Sequence, residues 1–287
     1  MVGAMSAQGE DRSDFQPVTP VGSLDFIFYK ATEGLTWESK TYPANIAQAR
    51  SESKPLGSYH FLHPGLSGAA QARFFLDFIR RHGGLRDGDQ LVVDSELMAG
   101  VQPASPRSHL GLDLGHPPGP AAFALAVSGV DACTKLFLDT LHGLVNPGKH
   151  PLLTYTMGSV GQHLHATASA HPLLWFARPG ITAPTAAQIA PWKHWRYWQW
   201  GIVRNVDKDA YNGLPADLKR WLSGYTQAGP FRHVADGTKT LAEIAAGRHT
   251  DPQHLLEVTA KAYTPGDIAA ATALKAPAGL PYYTVHP

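Results

Sequence analysis

The sequence holds a single cysteine, Cys133. One thiol can form neither an internal disulfide nor a multi-cysteine zinc site. It lies in the apolar stretch 130–138 and reads as a buried, unreactive thiol. No run of about 18 apolar residues occurs, so no membrane-spanning helix is expected. Neither sign of charge dominates: 24 Lys plus Arg stand against 23 Asp plus Glu. A nucleic-acid binder would carry a basic excess or stripe, so nucleic acid is set aside as a partner. Also missing are His-Glu-x-x-His, a glycine-rich phosphate loop and Gly-x-Ser-x-Gly, which removes support for a zinc protease, a nucleotide enzyme or a serine hydrolase. The closest group among the histidines, His163, His165 and His171, has no nearby acid to complete a ligand set. No metal and no cofactor is expected. Residues 1–8 lack a basic start and a long apolar core, and do not read as a secretory signal.

What is present is a chain of 287 residues, 44% hydrophobic, which suits one barrel-sized domain plus a small module. Short apolar runs at 25–31, 56–62, 90–97, 152–156, 173–177 and 195–200 read as strands. Between them, 43–53, 69–81 and 121–144 carry helical composition or spacing, and 99–120 is a loop crowded with Pro, Gly and His. Strands alternating with helices predict a parallel sheet covered by helices, and the number of units favours a barrel. In such a barrel, functional residues gather at the C-terminal ends of the strands. Polar and aromatic residues do gather there: Lys30, Thr32 and Glu33; Tyr59, His60 and Phe61; Asp94 and Glu96; Tyr155; Trp198, Gln199 and Trp200. Aromatic faces stack on sugar rings and carboxylates supply acid and base, so the set suits a glycan.

Asp94 and Glu96 stand two apart after the run Leu91-Val92-Val93. On a strand both would point to one side, with Cα atoms roughly 6.5–7 Å apart. Two such carboxyls cannot both ionise freely, so one keeps its proton towards neutral pH. Glycoside hydrolysis needs one carboxylic acid and a second carboxylate. Asp-x-Glu alone is common, and a pair of solvated acids at a strand end would read the same way.

A run of ordered blocks makes the pair specific. They are Gly9-Glu10-Asp11-Arg12-Ser13-Asp14-Phe15-Gln16, Phe26-Ile27-Phe28-Tyr29-Lys30-Ala31-Thr32-Glu33-Gly34, Gly57-Ser58-Tyr59-His60-Phe61, Asp94-Ser95-Glu96, Trp198-Gln199-Trp200, Val206-Asp207-Lys208-Asp209 and Tyr211-Asn212-Gly213. Together they resemble glycoside hydrolase family 25, the lysozymes of the Chalaropsis type, over most of residues 9–213. The resemblance implies an α/β fold, a flattened barrel of the (β/α)5β3 type. It also implies cleavage of the β-1,4 bond between N-acetylmuramic acid and N-acetylglucosamine in bacterial peptidoglycan. By the same resemblance Glu96 is the general acid. Asp94 is its partner, as nucleophile, electrostatic stabiliser or orienter of the substrate acetamide. Asp11 and Asp207 are further acids of the groove, and Lys30, Glu33, Tyr59, Phe61, Tyr155, Trp175, Trp198 and Gln199 are substrate-binding residues. Departures from the family pattern are Glu10 and Arg12, where apolar neighbours are usual, Trp200 in place of a Tyr, and a longer segment at 98–120.

The catalytic region is thus expected at 9–222. A Gly-, Pro- and Gln-bearing linker follows at 223–232, then a small α+β module of strand–helix–helix–strand pattern at 233–287. The stretch from His233 to Ala245 and the end Leu280–Val285 resemble a degenerate LysM domain, which implies binding to glycan that contains N-acetylglucosamine. A capping or dimerising segment is the alternative. The leading reading is a muramidase, and with no recognisable leader it fits a phage endolysin made in the host cytoplasm and released through holin pores. A catalytically inactive peptidoglycan-binding protein is the alternative, against which both acids speak. A chitinase-like enzyme ranks last, because Asp-x-x-Asp-x-Asp-x-Glu is missing.

Overall fold

The computed structural model describes residues 6–96, 120–226, 231–234 and 281–284. The chain divides into two compact units, Met1–Asn146 with His150–Gly224, and Pro147–Lys149 with Tyr225–Pro287. The segment at 98–119 and most of the C-terminal module, including both of its expected helices, lie outside the described residues.

In order, the first unit contains β1 (Gln8–Arg12), β2 (Phe26–Glu33), β3 (Trp37–Glu38), α1 (Tyr42–Ser51), β4 (Leu56–Phe61), α2 (Gly68–Arg81), β5 (Gln90–Asp94) and α3 (Pro120–Leu144). It continues with β6 (Leu152–Met157), α4 (Gly158–Gly161), α5 (His165–Ala170), β7 (Leu174–Ala177), α6 (Ala186–Ile189), β8 (Tyr197–Val203), β9 (Val206–Tyr211) and α7 (Pro215–Thr226). Eight strands close a barrel in the order β1-β9-β8-β7-β6-β5-β4-β2, with β2 pairing back onto β1 and β3 attached to β2 as a short antiparallel arm. All are parallel except β9, which runs antiparallel to both β8 and β1. Strands β2, β4, β5, β6 and β7 are each followed by helix. Strands β8, β9 and β1 complete the wall in the (β/α)5β3 arrangement, with helix α7 following β9.

Alternation along each strand separates two cores. Phe26, Phe28, Tyr59, Val92, Leu153, Tyr155, Trp175, Tyr197 and Tyr211 fill the barrel, while Ile27, Tyr29, Leu56, Leu91 and Val93 face the helices. Gly57 is glycine because Phe28 crosses it: a Cβ would lie 2.3 Å from the ring. Helix α2 starts at an N-cap, Ser67, whose Oγ accepts from the Ala70 amide. It buries Phe75, Leu76, Phe78 and Ile79 on one stripe, each contributing about 1.5–3 kcal/mol of burial. Its first residue, Gly68, meets α3 so closely that a Cβ would sit 2.3 Å from the Cys133 carbonyl oxygen.

Three features depart from the sequence reading. Strand β1 forms despite Glu10 and Arg12, because the two neutralise one another on the outer side of the sheet. Arg12 donates Nε and Nη2 to Glu10 Oε2 at 2.9 and 2.7 Å, Lys208 also contacts Glu10, and Arg12 Nη1 holds the Thr19 carbonyl at 3.0 Å. Strand β9 had no apolar run to announce it. It is fixed by a two-residue hairpin in which Arg204 and Asn205 take φ of 53° and 61°, the backbone a tight hairpin requires. Strand β5 ends at Asp94, short of the expected 97.

Of the second unit, β10 (Phe231–Val234) and β11 (Pro281–Thr284) pair antiparallel, Phe231 opposite Thr284. Helix α7 runs to Thr226 and β10 starts at Phe231, so both enter the span read as a linker at 223–232.

Candidate active site

The C-terminal ends of the parallel strands and the start of β9 carry a ring of polar side chains around one mouth of the barrel. Asp11 comes from β1, Lys30 and Glu33 from β2, Tyr59 and Phe61 from β4, Asp94 from β5, Tyr155 from β6, Gln199 from β8, and Asp207 and Asp209 from β9. Trp175 from β7 lies beneath them as a floor. Its ring stacks on Phe28 at 4.4 Å and takes the edges of Tyr155 at 4.7 Å and Tyr59 at 6.4 Å.

Two irregularities aim these side chains. The register of β2 shifts between Lys30 and Thr32, with Ala31 as the extra residue. In a regular strand, residues three apart face opposite sides. The bulge puts Lys30 and Glu33 on the same side, where they pair at 2.5 Å. Thr32 then faces outward, with Oγ1 2.8 Å from His60 Nδ1. A second bulge lies between Gln199 and Gly201, with Gln199 opposite Asp209.

Because β5 stops at Asp94, the Asp94–Glu96 pair does not rest on strand alternation. Ser95 holds it instead. The Ser95 amide donates to the Tyr155 carbonyl at 2.9 Å, its carbonyl accepts from Thr156 Oγ1 at 2.8 Å, and its Oγ lies 2.8 Å from Thr134 Oγ1 on α3. The Leu62 amide donates to the Asp94 carbonyl at 3.0 Å. With Ser95 pinned outward, its two neighbours are turned to the barrel mouth.

The acids crowd one another. Burial raises the Asp94 carboxyl well above its ordinary range, and the charges of Glu96, Asp11 and Glu33 add to this against Lys30. Glu96 is raised by burial and by Asp207, opposed by a hydrogen bond with Tyr155 and by Lys30. Asp11 rises to about 7 through burial and the charge of Asp207. Burial also raises Asp207. Glu33 goes the other way: hydrogen bonds from His63 and Lys30 outweigh burial and hold it at about 2. Lys30 further packs over the Trp37 and Phe61 rings, 4.8 and 4.9 Å from their centroids.

Hydrogen bonds link the two sides of the mouth. Gln199 Nε2 donates to Asp11 Oδ2 at 2.9 Å, and its Oε1 accepts from the Tyr155 hydroxyl at 3.0 Å. Trp175 Nε1 donates to Asp209 Oδ1 at 2.8 Å. Asp94 Oδ1 and Asp209 Oδ2 are buried with no partner from any donor. A buried carboxyl oxygen without a donor is the natural seat of a proton.

The structure thus gathers Glu96, Asp94, Asp11, Asp207, Lys30, Glu33, Tyr59, Phe61, Tyr155 and Gln199 at one mouth. Trp175 is the floor beneath it, 1% exposed. Trp198 is not in the groove. It faces outward into the cluster with Val130, Phe176 and Trp192, and its Nε1 donates to the Arg178 carbonyl at 3.0 Å. Alternation explains the correction, since its neighbour Gln199 points in. Sequence reasoning overlooked Ser95, Thr134, Thr156 and Asp209 as parts of the site. Only Asp209 carried a signal, by standing two residues from Asp207 and so on the same face of β9. Elsewhere, His171 pairs with Asp139 at 2.9 Å. Among the described residues no group of His, Cys, Asp and Glu is arranged to hold a metal ion.

Comparison with known proteins follows the same outline. A curated relative, an N,O-diacetylmuramidase of Arthroderma benhamiae, is 27% identical over 235 residues, covering 77% of this chain and 88% of its own. A muramidase from Acremonium alcalophilum superposes with a TM-score of 0.56 at 25% identity, covering 76% of this chain and 99% of that one. The bacterial lysozyme from Streptomyces coelicolor shares the fold, with a TM-score of 0.58 at 23% identity over 79% of this chain and all of that one. The family model for glycosyl hydrolases family 25 matches residues 6–208. This chain belongs to glycosyl hydrolases family 25.

Proposed function

We propose that this glycoside hydrolase is an N-acetylmuramidase, cutting the β-1,4 bond from N-acetylmuramic acid to N-acetylglucosamine in peptidoglycan. The observation that carries the reading is the pair Asp94 and Glu96, both raised by burial at a barrel mouth that also holds Asp11 and Asp207. Glu96 is the less enclosed of the two. It keeps a proton to give to the leaving oxygen. Asp94 shares the titration of the pair and faces the sugar from below as its partner. Tyr59, Phe61 and Tyr155 offer aromatic faces and edges, and Lys30 brings a cation to a substrate that carries lactyl carboxylates. The relatives named as muramidases support the same bond.

The test is mass spectrometry of fragments released from purified peptidoglycan. Fragments ending in reducing muramic acid are expected, and Glu96→Gln should abolish them while leaving wall binding intact. Normal digestion by Glu96→Gln would remove Glu96 from the acid role.

The finer reading has two parts. The second unit is a LysM-like glycan-binding module, supported by the antiparallel pairing of strands near either end of the 231–284 span. In the Glu96→Gln background, loss of residues 227–287 should weaken retention on insoluble wall material. Unchanged retention would count against a binding role. The chain is also read as a phage endolysin that reaches the wall through holin-made pores. Expression inside a susceptible bacterium should then lyse it only when a pore-forming protein is co-expressed, and lysis without one would argue against that route.

A further inference from the structure

Phe15 is the most exposed large apolar side chain among the described residues, at 93%. Its backbone is nonetheless held firmly. The Gln16 amide donates to the Ser13 carbonyl at 3.2 Å, and Gln16 Oε1 accepts from the Ser13 amide at 2.8 Å, which closes residues 13–16 into a turn. The turn is tied down on both sides. Asp14 Oδ1 accepts from the Ser39 and Thr41 hydroxyls and its Oδ2 from the Lys40 amide at 3.0 Å, just beyond β3. Gln16 Nε2 donates to the Asn205 carbonyl at 2.9 Å, in the β8–β9 hairpin. Asp14 and Gln16 are half-buried, while Phe15 between them stands in water. Ordering such a turn costs conformational entropy, and the ring returns no burial in the free protein. A ring held ready at a fixed place binds a flat apolar partner without that ordering cost at the moment of binding.

The turn belongs to the rim of the active-site mouth. It follows the C-terminal end of β1, immediately after Asp11 and Arg12. The hairpin that it touches carries Ile202 opposite Asp207. Opposed residues of an antiparallel pair share a face, so Ile202, 65% exposed, continues outward the same face that presents Asp207. Around the closed wall, β9 is separated from β5 by β8, β7 and β6 one way and by β1, β2 and β4 the other. The turn Asp94-Ser95-Glu96 and the rim of Phe15 and Ile202 therefore stand on opposite sides of the mouth. A chain bound at Glu96 and long enough to cross the mouth leaves it over that rim.

We propose that Phe15, with Ile202 on the neighbouring hairpin, forms a distal glycan subsite: an aromatic platform for the apolar face of a pyranose ring, across the mouth from the bond that is cut. An aromatic plane and an aliphatic side chain match the C–H face of a sugar. The ligand is the polysaccharide strand rather than its peptide stems, because the strand that occupies the acids is the one that runs on over the rim. The identity of that ligand rests on the muramidase reading.

The experiment measures KM on glycan chains of increasing length, freed of stem peptides, for the full chain and its Phe15 variants. Wild-type KM should fall as the chain grows long enough to reach the rim. Phe15→Ala should forfeit about 3- to 10-fold of that gain, the worth of one aromatic contact, with the loss in KM rather than in kcat. Phe15→Trp should keep the gain, and Phe15→Leu, apolar without being planar, should lose most of it. Tm should not move, since the ring is outside the core. The same chain-length dependence in Phe15→Ala as in wild type would overturn the proposal. A loss seen only on chains that still bear stem peptides would overturn it too, by giving the rim to the peptide. Calorimetry with long stem-free glycan, comparing Glu96→Gln with Glu96→Gln/Phe15→Ala, reads binding without turnover. If wild type released no muropeptides, the muramidase reading would fall while the calorimetric difference still judged Phe15.

Discussion

Tyr155 and Gln199 meet across the barrel mouth, the phenol hydroxyl donating to the amide oxygen at 3.0 Å, although 44 positions separate them in sequence. Tyr155 is the bridge between Glu96 on one side and the Gln199–Asp11 pair on the other. Removing only its oxygen should uncouple them. Tyr155→Phe keeps the ring edge against Trp175 and should fold normally. Its kcat should drop roughly 10- to 100-fold, the effect of one hydrogen bond to an ionisable group. Steady-state kinetics on soluble glycan fragments checks this, and a kcat within twofold of wild type would show that the bridge is idle.

The crowded acids should make the site a source of instability at high pH. Asp94 has a folded-state pKa raised by burial and by Glu96. For a carboxyl shifted that way, stability is full below the unfolded value near 3.9 and is lost as pH rises through the folded value. Asp94→Asn should therefore raise Tm at pH 7–9 relative to wild type and change it little at pH 4, while lowering activity. Thermal melts at the two pH values test it, and equal Tm shifts at both would refute the charge argument.

The opposite limb belongs to His60. It is buried, with its ring between Thr32 Oγ1 and Gln71 Oε1, and burial holds its pKa down at about 3. A base depressed in the fold contributes stability above its unfolded pKa near 6.5, lost as pH falls towards 3. The lost contribution is on the order of 5 kcal/mol across that window. His60→Gln should flatten the denaturant midpoint between pH 6.5 and 4. An unchanged slope would mean that other groups govern the acid limb.

A steric prediction concerns the support of the acids. Gly68→Ala puts a methyl 2.3 Å from the Cys133 carbonyl oxygen of α3. The Cys133 carbonyl oxygen and the Phe137 amide nitrogen, 3.1 Å away, are both backbone, so the helices must separate, at about 1–3 kcal/mol. Thr134 stands next to Cys133 and binds Ser95, so the displacement reaches the Asp94-Ser95-Glu96 turn. The variant should lose both Tm and kcat. Retention of full kcat would show that the turn does not depend on α3.

Much of this architecture was legible in the sequence because it rests on periodicity. The apolar runs of β2, β4, β5, β6 and β7 and the stripe of α2 encode burial directly, and the ordered blocks brought the acids with them. What escaped detection depends on single residues of backbone geometry. Strict alternation would send Lys30 and Glu33 to opposite faces, and only the extra residue Ala31 unites them. Trp198 looked like a sugar platform because Trp, Gln and Trp stand together, yet the inward position went to Gln199. Strand β9 carries Asp, Lys and Asp where an apolar run would mark a strand, because it faces the acidic mouth on one side and Glu10 on the other.

The closure of the barrel also orders events during synthesis. Strand β1 emerges before the other strands of the barrel, but one of its two partners is β9, whose last residue is Tyr211. A nascent chain can display Asp94 and Glu96 early, yet Asp207 and Asp209 arrive only when the wall is nearly complete. A translation product cut before β9 therefore lacks Asp207 and Asp209 and an entire stave of the wall. The set of acids is therefore completed in one late step, when β9 closes against β1.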